Sequence, residues 1–90
     1  MELLPDGSVQ MFTVEVKVGL KKGVVDPEGN NTNKSLLLLG YSEVRSVKSL
    51  KVFRMDIEAD SKEEARKRVE EMCQRLLSNP VIHTYQIDFL

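Results

Sequence analysis

Few side chains in this sequence are of the types that carry out reactions, and their spacing decides how far each can be pressed. Cys73 is the single cysteine and His83 the single histidine. A thiolate nucleophile needs an electropositive, accessible setting. Cys73 instead follows Met72 and precedes Leu76 in an apolar helical spacing, the setting of a small core residue. His83 has no second histidine and no cysteine at ligand spacing, so no metal site is expected. Nor does spacing indicate a Ser–His–Asp or Cys–His arrangement. Glu63, Glu64, Glu70 and Glu71 could be read as paired carboxylates, but each has a lysine or arginine within helical reach, which is the pattern of a solvated helix face. The run "KKGVVDPEG", Lys21 to Gly29, has the lysines and glycines of an anion-binding loop without the spacings of the known phosphate loops. Asn30, Asn31 and Thr32 form a glycosylation acceptor that has meaning only in a secreted chain. Lys48 and Lys51 flank a strand-like region, where they either solubilise the surface or meet an acidic partner or anionic ligand. No set of groups here can run a reaction by itself, and the residues describe an accessory or regulatory domain.

The elements that must position these residues can be read from periodicity. Phe12, Val14, Val16 and Val18 alternate with Thr13, Glu15 and Lys17, a half-buried strand. Asp26 can cap a helix whose first residue is Pro27, since proline lacks only an N–H that has no partner there. That helix is expected over Pro27–Leu39, with Gly40 as its left-handed stop, although Gly29, Asn30, Asn31, Thr32 and Asn33 in its first half are poor helix formers. Leu36 to Leu39 should turn up to three side chains to a core. From Ser42 to Ala59 no Gly, Pro or Asn marks a turn, so this stretch reads as one long bent strand or as two strands joined near Ser49. Ser61 and Glu64 form a capping box, and Ala65, Val69, Met72, Cys73, Leu76 and Leu77 recur at helical spacing up to Pro80. On its other face Glu63–Lys67, Glu64–Arg68 and Glu71–Arg75 are placed for i,i+4 pairing. Tyr85, Ile87 and Phe89 mark a last strand.

Strand, helix, one or two strands, helix, strand is the order of an α+β two-layer sandwich, with two helices packed on one face of a small, mainly antiparallel sheet. The opposite face would carry Thr13, Glu15, Lys17, Arg54, Asp56, Glu58, Thr84, Gln86 and Asp88, polar and of both signs. Residues 1–10 read as a flexible extension and 11–90 as a single domain. At 90 residues the core is thin, so a homodimer or higher homo-oligomer is expected, joined through a strand edge or the Ser42–Ala59 segment. Thirteen basic and fourteen acidic residues, without a block of one sign, argue against nucleic-acid binding. No apolar run is long enough to span a bilayer, and the first ten residues lack the pattern of a signal peptide. With one cysteine, a reducing cytoplasmic setting is expected.

Three stretches carry a resemblance. "KKGVVDPEG" is similar to a K-x-G-V-x-D-P-x-G pattern; "SLLLLGY" to A-L-x-x-L-G-Y, with Ser35 in place of alanine; "EEMCQRLLSNPVI" to a helix ending in C-x-x-L-L-x-N-P-V-I. In this order and spacing, over Phe12 to Leu90, the chain resembles the PurS family, the small subunit of phosphoribosylformylglycinamidine synthase. The resemblance implies a complex with a large ATP-dependent synthetase subunit and a glutaminase subunit, which together convert formylglycinamide ribonucleotide, ATP and glutamine to formylglycinamidine ribonucleotide in purine biosynthesis. It implies no active site and no cofactor in this chain, but a bridging role between the other two. Gly23, Asp26, Pro27 and Gly29 match the family pattern and become partner-interface candidates, with a simple capped helix as the alternative. Lys48 and Lys51 join them as the basic ends of "KSLK", where the family commonly has R-x-G-K and Leu50 replaces glycine. The competing functional reading is a regulatory domain that binds a small molecule. A small acyl phosphate hydrolase is less well supported, because it calls for an arginine in an anion-binding loop.

Overall fold

The computed structural model describes residues 9–90. Most of the expected N-terminal extension lies outside the described residues, and Gln10 already belongs to a strand. The elements in order are β1 (Gln10–Leu20), α1 (Pro27–Leu38), β2 (Lys51–Ala59), α2 (Lys62–Met72), continued by one π-helical turn (Cys73–Leu77), and β3 (His83–Phe89). The sheet runs β2-β1-β3 with both pairings antiparallel. The fold is an α+β sandwich.

Register follows from the alternation in β1. Val16 stands between Phe53 and Ile87, and Val14 between Met55 and Phe89, so the apolar residues of all three strands share one face. Over that face α2 lays Ala65, Val69 and Cys73, spaced four apart; Val14, Val16, Val69 and Cys73 are fully buried. Ser61 starts the helix by accepting the Glu64 N–H at 3.1 Å. At its far end the Ser78 N–H and hydroxyl both donate to the Cys73 carbonyl, at 2.9 Å each, closing the wider turn. A π turn adds a residue per turn. The expected apolar stripe therefore slips: Leu77 packs against the core, while Leu76 is 83% exposed. Among the described residues, the ion pair on the outer face of α2 is Arg68–Glu71, three apart, and not the expected i,i+4 pairs.

The other face of the sheet is the polar one expected. Thr13 donates to Asp56 at 2.8 Å, Arg54 clamps Glu15 through two N–H groups, and Lys17 approaches Asp88 at 3.8 Å.

Two further features differ from the sequence reading. The stretch before β2 is not a strand: from Val44 to Leu50 the backbone is irregular and strand pairing begins at Lys51. Val44, Val47 and Leu50 recur every third residue and not every second, and the Ser49 N–H is taken by a side chain, so no ladder can run through it. Second, α2 supplies the helical layer over the sheet, whereas α1 makes at most marginal contact with any strand. The described residues measure 59 × 27 × 15 Å with a radius of gyration of 17.8 Å, against about 12 Å for a compact chain of this length. An eleven-residue strand spans about 37 Å and a twelve-residue helix about 18 Å, so α1 lies beyond the end of the sheet. Its C-terminal leucines consequently miss the core of this chain: Leu37, Leu38 and Leu39 are exposed, and Leu36 is half-buried.

Truncation tests this packing. Val69→Ala should cost about 2–3 kcal/mol in urea unfolding, the lost burial plus a cavity, while Leu76→Ala should change stability by less than about 0.5 kcal/mol.

Candidate functional site

A helix that begins with so many poor formers needs an external hold, and Asp26 provides it. As N-cap it accepts the Gly29 N–H at 3.0 Å. Its two oxygens also accept the N–H of Ser49 at 2.7 Å and the hydroxyl of Ser49 at 2.7 Å. One carboxylate thus ties the first turn of α1 to the irregular segment ahead of β2. The Ser49 N–H, then the Gly29 N–H, then the Ser49 hydroxyl hold the Asp26 carboxyl below its ordinary 3.8, against a smaller opposing effect of burial.

Gly29 completes the clasp. It is the buried residue of α1, and a Cβ built there would stand 2.5 Å from the Val47 carbonyl oxygen and 2.6 Å from Asp26 Oδ2. The surface that approaches this bare backbone closely is the chain's own 44–50 segment. The helix closes with Gly40 at φ 100°, where the Gly40 and Tyr41 N–H groups return to the carbonyls of Leu37 and Leu36, a Schellman stop.

Between the 21–26 turn and the 46–50 segment lies a cleft of about 640 Å³, floored by Gly19 and Thr84. Gly23, at φ 88°, makes the turn possible and lines the cleft together with Asp26 and Lys48. Of the other sequence candidates, Pro27 is exposed as the first residue of α1, Gly29 sits behind the clasp, and Lys51 opens β2 outside this cleft. So three of the six candidates meet at one place. Sequence reasoning missed Ser49 and Thr84; Ser49, a lone hydroxyl between Lys48 and Leu50, was the available signal. Leu50, at the glycine of the family pattern, lies against another bare backbone, since a Cβ on Gly19 would come within 3.2 Å of it.

The two reactive side chains are occupied structurally. Cys73 is fully buried, and burial, with the charge of Glu70, pushes its thiol above the ordinary 9.0. His83 Nδ1 accepts the Asn79 N–H at 2.8 Å, bracing the turn into β3. Among the described residues no three His, Cys, Asp or Glu side chains cluster to hold a metal, and no helix is long and apolar enough to cross a membrane.

Fold and site define a small α+β protein whose distinctive features are shaped surfaces: a clasped helix start, a basic cleft and an outlying apolar helix end. The family model described as PurS, phosphoribosylformylglycinamidine (FGAM) synthase, matches residues 13–90. The PurS subunit of this synthase from Archaeoglobus fulgidus is 55% identical over 73 residues, 81% of this chain and 91% of that protein. The crystal structure of PurS from Methanocaldococcus jannaschii, a subunit of formylglycinamide ribonucleotide amidotransferase in the purine biosynthetic pathway, superposes with a TM-score of 0.79 at 39% identity, covering 88% of this chain and 95% of that one. A chain of the PurLQS structure from Thermotoga maritima gives 0.83 at 28% identity, covering 90% and 99%. The chain belongs to the PurS family: it is a PurS subunit of FGAM synthase, an enzyme of purine biosynthesis.

The clasp has a pH signature. A carboxyl whose folded pKa is depressed contributes stability that is complete above the unfolded pKa and fades as pH falls through the lower folded value. Asp26→Asn should therefore lower Tm by several degrees near pH 7, and the difference should shrink progressively as pH falls below about 4, the unfolded carboxyl's pKa, as measured by thermal melts of both chains. Gly29→Ala should also destabilise, although alanine gains about 1 kcal/mol in helix propensity, because the new methyl meets the Val47 carbonyl oxygen and the Asp26 carboxylate, which its hydrogen bonds to Gly29 and Ser49 hold in place.

Proposed function

We propose that this chain is a non-catalytic bridge between the large synthetase subunit and the glutaminase subunit of the complex, supporting glutamine-dependent conversion of formylglycinamide ribonucleotide to formylglycinamidine ribonucleotide in the cytoplasm. The observation that carries this reading is the near end-to-end match to a chain of the Thermotoga PurLQS structure, which spans 99% of that chain. The uncovered surfaces agree with it. Leu37, Leu38, Leu39 and Tyr41 stand exposed at the outer end of α1, and β2 and β3 are both edge strands, features that call for a protein neighbour. The Gly23–Gly29 turn with Lys48 and Lys51 is the docking face in this account. Gly23, Pro27 and the two lysines are exposed there, and Asp26 and Gly29 shape it from within.

The chain acts as a homodimer or higher homo-oligomer. Its extended shape and exposed leucines support this. Twofold pairing presents two copies of the docking face, which suits two different partners.

The test is turnover in the reconstituted complex with glutamine and, separately, with ammonium as nitrogen source. Omitting this chain should abolish the glutamine-dependent rate and spare the ammonium-dependent one. Full glutamine-dependent turnover without it would remove the bridging role.

A further inference from the structure

The cleft beside the clasp is built for a charge that the chain does not itself supply. Lys21 and Lys22 line it from the turn, and Lys48 lines it from the facing segment. Other cations of the described surface either have partners, as Lys17 with Asp88, Arg54 with Glu15, Arg68 with Glu71, and Lys62 and Arg66 at 5.1 Å from the centre of the Phe89 ring, or, as Lys34, Arg45, Lys51, Lys67 and Arg75, stand outside this cleft. Among the described residues Lys21, Lys22 and Lys48 form no ion pair. The one carboxylate in the lining is Asp26, and its oxygens are already engaged by Gly29 and Ser49. Three positive charges against one committed negative charge leave the cleft basic in a protein of net charge −1.

Shape and lining narrow the occupant. At about 640 Å³ the cleft is in the size range of small-molecule sites. Walls on two sides suit a compact ligand better than a flat protein surface. The hydroxyl of Thr84 and the amide of Asn30 add hydrogen-bonding groups, and the side chains of Val24 and Val47 add apolar lining. That combination fits a doubly charged group carried on a polar ring with some apolar surface.

We infer that this cleft binds a phosphomonoester of a sugar or nucleoside, with Lys21, Lys22 and Lys48 meeting the phosphate. The site would lie within the docking face, so its ligand could report to the assembly. The inference itself rests on the cleft alone and not on the bridging role.

The test is titration of the full chain, followed by calorimetry and by backbone amide shifts, with inorganic phosphate, ribose 5-phosphate and adenosine monophosphate, and with ribose as the uncharged control. Saturable binding at about 1 mM or tighter is expected for the phosphomonoesters, with shifts centred on Gly19, Gly23 and Thr84 and none from ribose. Lys21→Gln, Lys22→Gln and Lys48→Gln should each weaken binding about 5–10-fold, whereas Lys67→Gln on the outer face of α2 should leave it unchanged. These exposed positions keep the fold intact, which the amide spectrum verifies. No binding at about 10 mM, shifts centred elsewhere, or equal affinity in the lysine variants would overturn the inference. So would binding of an acidic peptide in place of the phosphomonoesters, which would assign the cleft to a protein partner's carboxylates. Because the chain is measured by itself, this result is separable from the turnover assay.

Discussion

The Asp26 carboxylate is the contact on which the outlying half of this molecule depends. The sheet and α2 have a core of their own, centred on Val14, Val16, Val69 and Cys73. Helix α1 has none: it reaches past the sheet and buries chiefly Gly29. What fixes its direction is one side chain that caps it and, with the same two oxygens, captures Ser49. Gly29 lets the helix close onto the Val47 carbonyl, and Gly23 lets the chain turn into the cap. Cleft, turn and helix axis are therefore set by one local network, distinct from the hydrophobic core.

That division also accounts for the surface. A chain that covers one sheet face with one helix and sends the other outward leaves leucines uncovered that a compact domain of its size would bury. The charged sheet face is pinned by its own cross-strand pairs, Glu15 with Arg54 and Thr13 with Asp56. The surfaces left without such pairing are the α1 end and the outer edges of β2 and β3. The stabilising core is thereby separate from the uncovered surfaces, and each can be shaped without disturbing the other.

Much of this was legible from the sequence because the signals are local. Alternation gave the strands and their shared apolar face, Ser61 gave the start of α2, and Asp26-Pro27 with Gly40 bounded α1 to within a residue. The errors arise where local pattern meets longer-range geometry. Apolar content in Val44 and Val47 suggested a strand, but their spacing of three and the capture of Ser49 by Asp26 leave the segment irregular. A regular helix period put Leu76 in the core, and the π turn after Cys73 rotated it out. The leucines of α1 have the composition of a buried stripe, yet only the direction of the helix decides whether anything in the same chain covers them. Of the site, the individual residues could be named, but their meeting at one cleft could not, since Lys48 and Thr84 are far from the turn in sequence.

The clasp is tested most directly by amide hydrogen exchange at Ser49 in the wild-type chain and in Asp26→Asn. If Asp26 holds α1 to the 44–50 segment, the Ser49 amide is protected in the wild type and exchanges freely in the variant, while Val14 and Val16 in the sheet stay protected in both. Equal protection of Ser49 in the two chains would contradict the account.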